Sequence, residues 1–179
     1  WQGAMANENS IKLGAKTAAR WIADKGWDHS IFDSLLFGNT IAQLHQFYGA
    51  PWAAALMGCG GITGLTVSQA CTTGTTCIFQ AATFIETGMA ANVFVLTTDR
   101  TSNGPHTIWP NPMGPGAEVI SENWMMDNFN SDPNAGFKMI QTAENVAKEI
   151  GITKEECDTV TLKRYEQYQD ALADDRAFQ

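Results

Sequence analysis

The chain has 179 residues, enough for one domain with a sizeable core and an appendage. Its formal net charge of −8 argues against a bulk basic surface for nucleic acid or anionic membranes. No run has the length and apolarity of a membrane span or a secretory signal. We therefore expect a protein that binds neither nucleic acid nor membranes.

The cysteines give no metal or disulfide pattern. There are four, with no CxxC pair and no histidine at ligand spacing: Cys59, Cys71, Cys77 and Cys157. Zinc binding is therefore not expected, and the composition favours reduced thiols over a disulfide framework. A cytoplasmic location follows as the expectation.

The first elements are a helix and a strand. Asn9 or Ser10 can cap a helix that keeps helical apolar spacing to about Asp24. Residues 31–39 then read as a turn and a short strand ending at Gly38.

The next segment is less regular. Residues 42–56 predict two short helices, because the Ala50-Pro51 pair interrupts the pattern. His45 lies here and is expected to be structural. The glycine-rich run 58–61 lacks both phosphate-loop spacings, so we interpret it as a flexible turn before a strand.

Residues 65–99 hold the central pattern of the chain: a strand, a cysteine at a sharp turn, a helix and a second strand. The helix, about 73–87, is apolar nearly all round, which predicts burial on every side. The run 93–96 is typical of a strand covered on both faces. Cys71 would then lie at the mouth of a packed core.

Cys71 lies where the strand stops and the helix starts. Unpaired N–H groups and partial positive charge at a helix start favour a thiolate, which is the nucleophilic form. Thr72 and Thr73 can supply cap oxygens, and Gly74 permits close approach. The alternative is a core cysteine, since free cysteines are among the most buried residues. Position alone leaves both interpretations open.

The remaining chain is a loop followed by two helices. Residues 99–136 have little periodicity and five prolines, which predicts a long functional loop. A helix is expected over 138–150, ended by Gly151. Thr153 and Glu156 form a capping-box pattern that should open a last helix to about Ala173. Alternation of strands and helices in the first half predicts an α/β fold with a largely parallel sheet.

Four segments, in order along the chain, resemble the thiolases. Residues 67–74, Val-Ser-Gln-Ala-Cys-Thr-Thr-Gly, are similar to the family's Val-Asn-x-x-Cys-x-Ser-Gly turn, with Ser68 and Thr73 as departures. Three further ranges resemble its Glu-x-Met-Ser-x-x-Pro, Met-Gly-x-Thr-Ala-Glu-Asn-Val-Ala and Ile-Ser-Arg-Glu-x-x-Asp motifs: 99–106, 137–147 and 152–158.

The resemblance implies a fold and a domain division. The thiolase fold is a layered α/β structure with largely parallel mixed sheets and buried helices, one sheet from each half of the chain. Residues 1–98 would be the N-terminal α/β domain without its first strand, and 99–179 the start of the loop domain that covers the substrate. We expect the chain to be a fragment, inactive by itself.

The resemblance also implies a reaction. Thiolases cleave or form 3-oxoacyl-CoA through an acyl-cysteine, so Cys71 would be the nucleophile and its backbone N–H an oxyanion donor. Coenzyme A and acyl-CoA would be substrates, with no permanently bound cofactor. Met139 matches a methionine near the reactive thiol, with core filling as the alternative. Lys138 stands where some members have a histidine near the pantetheine arm. A homodimer or homotetramer, with or without a small accessory subunit, is expected.

Two parts of the family's machinery have no counterpart in the sequence. The Gly-His-Pro histidine and the Cys-x-Gly acid–base cysteine both belong to the second half of thiolases. None of His29, His45, His106 and Cys157 lies in those contexts.

Two alternatives to a thiolase stay open. One is a related ketoacyl or hydroxymethylglutaryl-CoA synthase, and the other is a non-catalytic subunit for assembly or acyl-CoA binding.

The long loop bears on the substrate. Five of its side chains either fill the loop's own core or an interface, or else line a pocket for an acyl group larger than acetoacetyl, as in fatty acid or aromatic degradation: Trp109, Trp124, Met125, Met126 and Phe129.

Overall fold

The computed structural model describes residues 3–177, with residue 103 described in its backbone alone. These residues form two compact units, one ending at Met126 and the other beginning at Asp127. The first unit contains helices α1 to α3 and strands β1 to β5: α1 Ser10–Asp24, β1 Ser34–Gly38, α2 Gly49–Leu56, β2 Thr63–Val67, α3 Thr73–Glu86, β3 Val93–Thr97, β4 His106–Trp109 and β5 Ile120–Asn123. Helix α4, Met126–Asn130, crosses the division, and the second unit contains α5, Met139–Ile150, and α6, Lys154–Arg176.

A parallel sheet with strand order β2-β1-β3 organises the first unit. Gly38 at the end of β1 is in register with Val67 of β2 and Thr97 of β3. The carboxyl ends of all three strands therefore share one edge, where ligands bind in open α/β sheets. The α/β fold expected from the alternation of elements is confirmed.

Helices cover both faces of this sheet. Apolar side chains of α1 and α2, including Ile11 and Ala53, pack with Leu35 and Phe37 on one face. On the other face Cys77 and Ala81 of α3 pack against Leu36. Every residue of β1 is buried, because β1 is the central strand between two helical layers.

Local signals in the first half of the chain match the structure. The Asn9 side chain accepts hydrogen bonds from the N–H groups of Ile11 and Lys12, which caps α1 as predicted. The two short helices expected over 42–56 are a 3-10 turn, Gln46–Tyr48, and α2. Pro51 lies in the first turn of α2, where its missing N–H costs little.

The prediction that α3 is buried on every side is wrong for the residues described. Thr73, Cys77 and Ala81 face the sheet, whereas Ile78, Phe79 and Ile85 are 64%, 71% and 50% exposed. The reason is that a sheet covers only one stripe of a helix packed against it.

Strand β3 also departs from its prediction, because it is an edge strand. Both of its faces contact core residues, with Phe94 on one side and Val93 and Val95 on the other. Most of the strand is only half-buried, and Leu96 alone of its residues is buried.

Residues 99–136 are more ordered than predicted. Strands β4 and β5 form an antiparallel pair, with His106 opposite Asn123 and Trp109 opposite Ile120. The strands are short and proline-rich sequence separates them, so their alternation is weak in the sequence.

In the second unit the helix ends agree with the capping residues predicted from the sequence. Helix α5 ends at Gly151, which adopts φ +76° as a left-handed cap. Thr153 and Glu156 form the capping box of α6, and residues 173–175 leave helical geometry close to the predicted end.

The division predicted after residue 98 rests on the family resemblance and stays a prediction. Among the residues described, no helix is both long and apolar enough to cross a membrane.

Candidate active site

Cys71 lies in a 3-10 turn, Ala70–Thr72, between the end of β2 and the start of α3. It is exposed, unlike the buried thiols of Cys59 and Cys77. The turn follows the carboxyl end of β2, so the thiol is at the edge of the sheet where α/β proteins bind ligands.

The turn holds a strained residue in a fixed conformation. Ala70, directly before the cysteine, has φ +47°, a left-handed value that costs energy for a residue with a Cβ. The Thr73 hydroxyl lies 2.8 Å from the Gln69 N–H, from which it accepts, and 2.8 Å from the Ala70 carbonyl, to which it donates. These two bonds close the turn on both sides of Ala70.

The predicted role of Thr72 and Thr73 as caps is wrong, because neither side chain caps an N–H group of α3. The Thr72 hydroxyl donates to the Gln69 carbonyl instead. The threonines therefore stabilise the turn that carries Cys71, and leave the helix start open.

Glycine at position 38 lets α3 approach the end of β1. A Cβ at this position would lie 2.9 Å from Thr73 Cγ2 and 3.0 Å from Cys77 Sγ, both shorter than ordinary van der Waals contacts. Thr73 is only 6% exposed as a result. The first turn of α3, and with it the cysteine turn, is seated tightly on the sheet.

Thr40, in the loop after β1, connects this turn to the rest of the sheet edge. Its hydroxyl lies 2.9 Å from the Thr73 hydroxyl and 3.3 Å from the Ala70 carbonyl oxygen. Thr40 thus contacts the same two groups that fix the backbone beside Cys71.

Asp99, which follows β3, fixes the Thr40 loop in turn. Its carboxylate accepts from the N–H groups of Thr40 at 3.0 Å and Ile41 at 2.7 Å, and from Asn39 Nδ2 at 3.0 Å. Asn39 Nδ2 also donates to the Thr98 carbonyl. Residues after β1 and β3 therefore support the turn after β2 through hydrogen bonds.

Trp124, which directly follows the β4–β5 hairpin, also contacts the Thr40 loop. Its Nε1 donates to the Thr40 carbonyl oxygen at 3.1 Å, which places an aromatic side chain against the loop that braces Cys71. Trp124 is among the loop residues predicted to line an acyl pocket or to pack within the loop, but Thr40 and its contact with Trp124 were not identified from sequence. The available signal was Gly38-Asn39 at the end of an early strand, since residues following parallel strands converge at one edge.

The other site residues predicted from the sequence lie at the start of α5. Lys138 is the N-cap residue of α5, and Met139, its first residue, is 44% exposed. Both belong to the second unit, and their roles beside the thiol stay predictions. In the part of the chain described, no histidine makes a hydrogen bond to Cys71. His106 contacts Asn123, and His29 contacts Cys59.

Comparison with known proteins identifies the family. The family model for the thiolase N-terminal domain matches residues 1–179. An acetyl-CoA acetyltransferase of Escherichia coli (strain K12) is 30% identical over 173 residues, covering 90% of this chain and 42% of that protein. One from Saccharomyces cerevisiae is 27% identical, covering 94% and 44%.

Solved structures agree with this fold. The acetyl-CoA acetyltransferase of Bacillus anthracis superimposes with a TM-score of 0.81 at 23% identity, and that of Syntrophomonas wolfei with 0.79 at 26%. Each match covers 96% of this chain and 44% of the other. The chain thus spans less than half the length of these relatives and has a thiolase-like fold. It belongs to the thiolase family.

Proposed function

We propose that the whole protein is a thiolase-type acyltransferase that cleaves or condenses 3-oxoacyl-CoA through a thioester on Cys71. The observation that carries this proposal is the exposed thiol, held in a strained and doubly hydrogen-bonded turn at the ligand-binding edge of the sheet. A cysteine kept only for packing would be buried, as Cys77 is.

The proposed reaction has two steps. The Cys71 thiolate attacks the 3-keto carbon of the substrate, and the bond between C2 and C3 breaks to release the enolate of acetyl-CoA, which is then protonated. The thiol of a second coenzyme A attacks the acyl-Cys71 thioester, which releases the shortened acyl-CoA and restores the cysteine.

The residues described supply part of this machinery. The backbone N–H of Cys71, in the turn directly before α3, is the proposed oxyanion donor. The thiol proton and the α-carbon proton need a histidine and a second cysteine, which we assign to protein outside these residues. Lys138 and Met139 are proposed as substrate-binding residues. We also propose coenzyme A as substrate rather than bound cofactor, and a homo-oligomeric assembly.

Substitution of the nucleophile tests this function. In the whole protein, Cys71→Ser should abolish turnover of 3-oxoacyl-CoA with coenzyme A, whereas Cys157→Ser, an exposed cysteine in the second unit, should not. Unchanged turnover by the Cys71 variant would exclude the acyl-cysteine mechanism. A wild-type protein that binds acyl-CoA without turnover would instead be a non-catalytic subunit.

We further propose an acyl group larger than acetoacetyl. The hairpin segment brings Trp124 against the Thr40 loop, and Trp109 is 46% exposed on the same hairpin. Aromatic surface of this kind suits a branched or aromatic acyl chain. Comparison of kcat/KM for acetoacetyl-CoA with that for aromatic 3-oxoacyl-CoAs tests the proposal, and a clear preference for acetoacetyl-CoA would refute it.

A further inference from the structure

A second thiol lies beside a histidine at the opposite edge of the sheet from Cys71. Cys59 Sγ is 3.7 Å from His29 Nδ1. Cys59 follows α2 and precedes β2, and His29 opens a 3-10 turn, His29–Ile31, that precedes β1. Both residues therefore come before their parallel strands, whereas Cys71 comes after one.

Local backbone structure fixes this pair. The Asp28 side chain accepts from the Ser30 N–H at 2.8 Å, which caps the turn that begins at His29. Gly58 has φ +81°, and a Cβ there would lie 3.1 Å from His29 Nδ1. Glycine at this position lets the imidazole lie against the chain directly next to Cys59.

A cavity of about 430 Å³ adjoins the pair and is lined by both residues. Gly60 and Gly61 form another part of its wall, and a Cβ added at either would meet nothing within 4 Å. The cavity thus leaves space for a small group attached to the Cys59 sulfur.

Cys77 shows the contrasting case of a thiol without such space. It is fully buried, and its sulfur is packed beneath Gly38, where even an added Cβ would be 3.0 Å away. Cys59 is 3% exposed, so burial alone does not distinguish the two residues. The histidine contact and the cavity do.

We propose that Cys59 and His29 form a second reactive site, at which Cys59 exchanges with a small disulfide. With Nδ1 unprotonated, His29 takes the thiol proton, and the Cys59 sulfur attacks one sulfur of the disulfide. The disulfide's S–S bond breaks and a mixed disulfide forms on Cys59. The departing thiolate takes the proton back from His29 and leaves as a thiol.

The need for a base follows from the surroundings of Cys59. Burial raises the pKa of the Cys59 thiol, so little thiolate forms unless a neighbouring group accepts the proton. His29 is the titratable side chain in contact with the sulfur.

The negative charge of a residue that lines the cavity should determine which charged disulfides react faster. Hydrogen bonds from Ser30 lower the pKa of Asp28, which also lines the cavity and is ionised at neutral pH. A disulfide that carries ammonium groups should therefore react faster than one that carries carboxylates.

The experiment uses the whole protein with Cys71→Ser as background, so that its outcome does not depend on the proposed thiolase activity. Cystamine is added without denaturant, and modified peptides are quantified by mass spectrometry over time. We expect a mixed disulfide on Cys59 and none on Cys77. His29→Gln should slow modification of Cys59 by at least about tenfold, and oxidised glutathione should react more slowly than cystamine in the unsubstituted site.

Three results would overturn the proposal: modification of Cys59 only at the rate of Cys77, an unchanged rate in a folded His29→Gln variant, or a faster reaction with oxidised glutathione. Because the comparison of two disulfides needs no substitution at His29, it decides the matter if that variant fails to fold. A Cys59→Ser variant of the otherwise unsubstituted protein should retain acylation of Cys71, since the two thiols lie at opposite edges of the sheet.

Discussion

The hydroxyl of Thr40 lies 2.9 Å from the hydroxyl of Thr73, across a sequence separation of 33 residues. Thr73 fixes the backbone on both sides of strained Ala70, and Thr40 supports it from the neighbouring strand's loop. The position of the Cys71 thiol therefore depends on contacts between the ends of two neighbouring strands, β1 and β2.

Loss of the Thr40 hydroxyl should slow acyl transfer. Thr40→Val keeps the side-chain shape but removes the hydrogen bonds to Thr73 and Ala70, which frees the turn to shift. We expect a fall in the rate of Cys71 acylation of roughly 10- to 100-fold, because small displacements of a reacting group cost that much. Stopped-flow acylation measures this, with Thr40→Ser as the matched control. Equal rates for the Val and Ser variants would show that Thr40 does not position the thiol.

Asp99 should contribute to the stability of the fold as well as to the position of the Thr40 loop. Asp99→Ala removes the acceptor for the N–H groups of Thr40 and Ile41 and for the Asn39 amide. We expect a loss of about 2 kcal/mol in the free energy of unfolding, since each donor must find another partner. Urea unfolding measures the change. Glu118→Ala, in a separate turn, serves as control and should leave the free energy within about 0.5 kcal/mol.

The exposed face of α3 gives a prediction about the longer protein. Ile78 and Phe79 are mostly exposed in the residues described, yet such apolar faces are normally covered. We propose that a second α/β half covers them. Ile78→Lys should then destabilise the whole protein by several kcal/mol, but leave residues 1–179 expressed alone nearly unchanged. Thermal unfolding of both forms tests this, and an equal, small effect in both would contradict it.

The capping box of α6 predicts a pH dependence. Hydrogen bonds from Thr153 lower the pKa of Glu156 in the folded protein, and the bond from the Thr153 backbone N–H has the largest effect. The stabilisation is therefore present above the pKa of the unfolded chain and is lost as the pH falls through the folded pKa. Glu156→Gln should lower the stability of α6 at neutral pH and have little effect well below pH ~4.

Circular dichroism melts of the Gln variant and the unsubstituted protein at the two pH values measure this difference. Thr153→Ala should cost about 1 kcal/mol at neutral pH. A Gln variant that is equally destabilised at both pH values would contradict the assignment.

Much of the architecture could be predicted from local signals. The cap at Asn9, the left-handed Gly151 and the capping box at Thr153 fix helix ends through residues close in sequence, and all three agree with the structure. The cysteine turn was predicted for the same reason, since the strand, turn and helix around it are contiguous.

What could not be predicted depends on distant residues. Thr40 and Trp124 contact each other across a separation of 84 residues, and no local pattern shows that a loop tryptophan meets the residue after β1. Burial of α3 failed as a prediction because composition shows that a helix is apolar, but not which layers cover it. The Cys59–His29 contact likewise spans 30 residues and needs the sheet to bring the two turns together.

The most direct test of the Cys71 mechanism is to locate the acyl group. The whole protein is incubated, without free coenzyme A, with a 3-oxoacyl-CoA that it turns over, then quenched in acid and digested, and peptides are mapped by mass spectrometry. We predict the mass of the acyl group that remains after loss of acetyl-CoA on the peptide that contains Cys71, and its removal when coenzyme A is added before the quench. That acyl group on another residue, or none on Cys71, would contradict the assignment of Cys71 as the nucleophile.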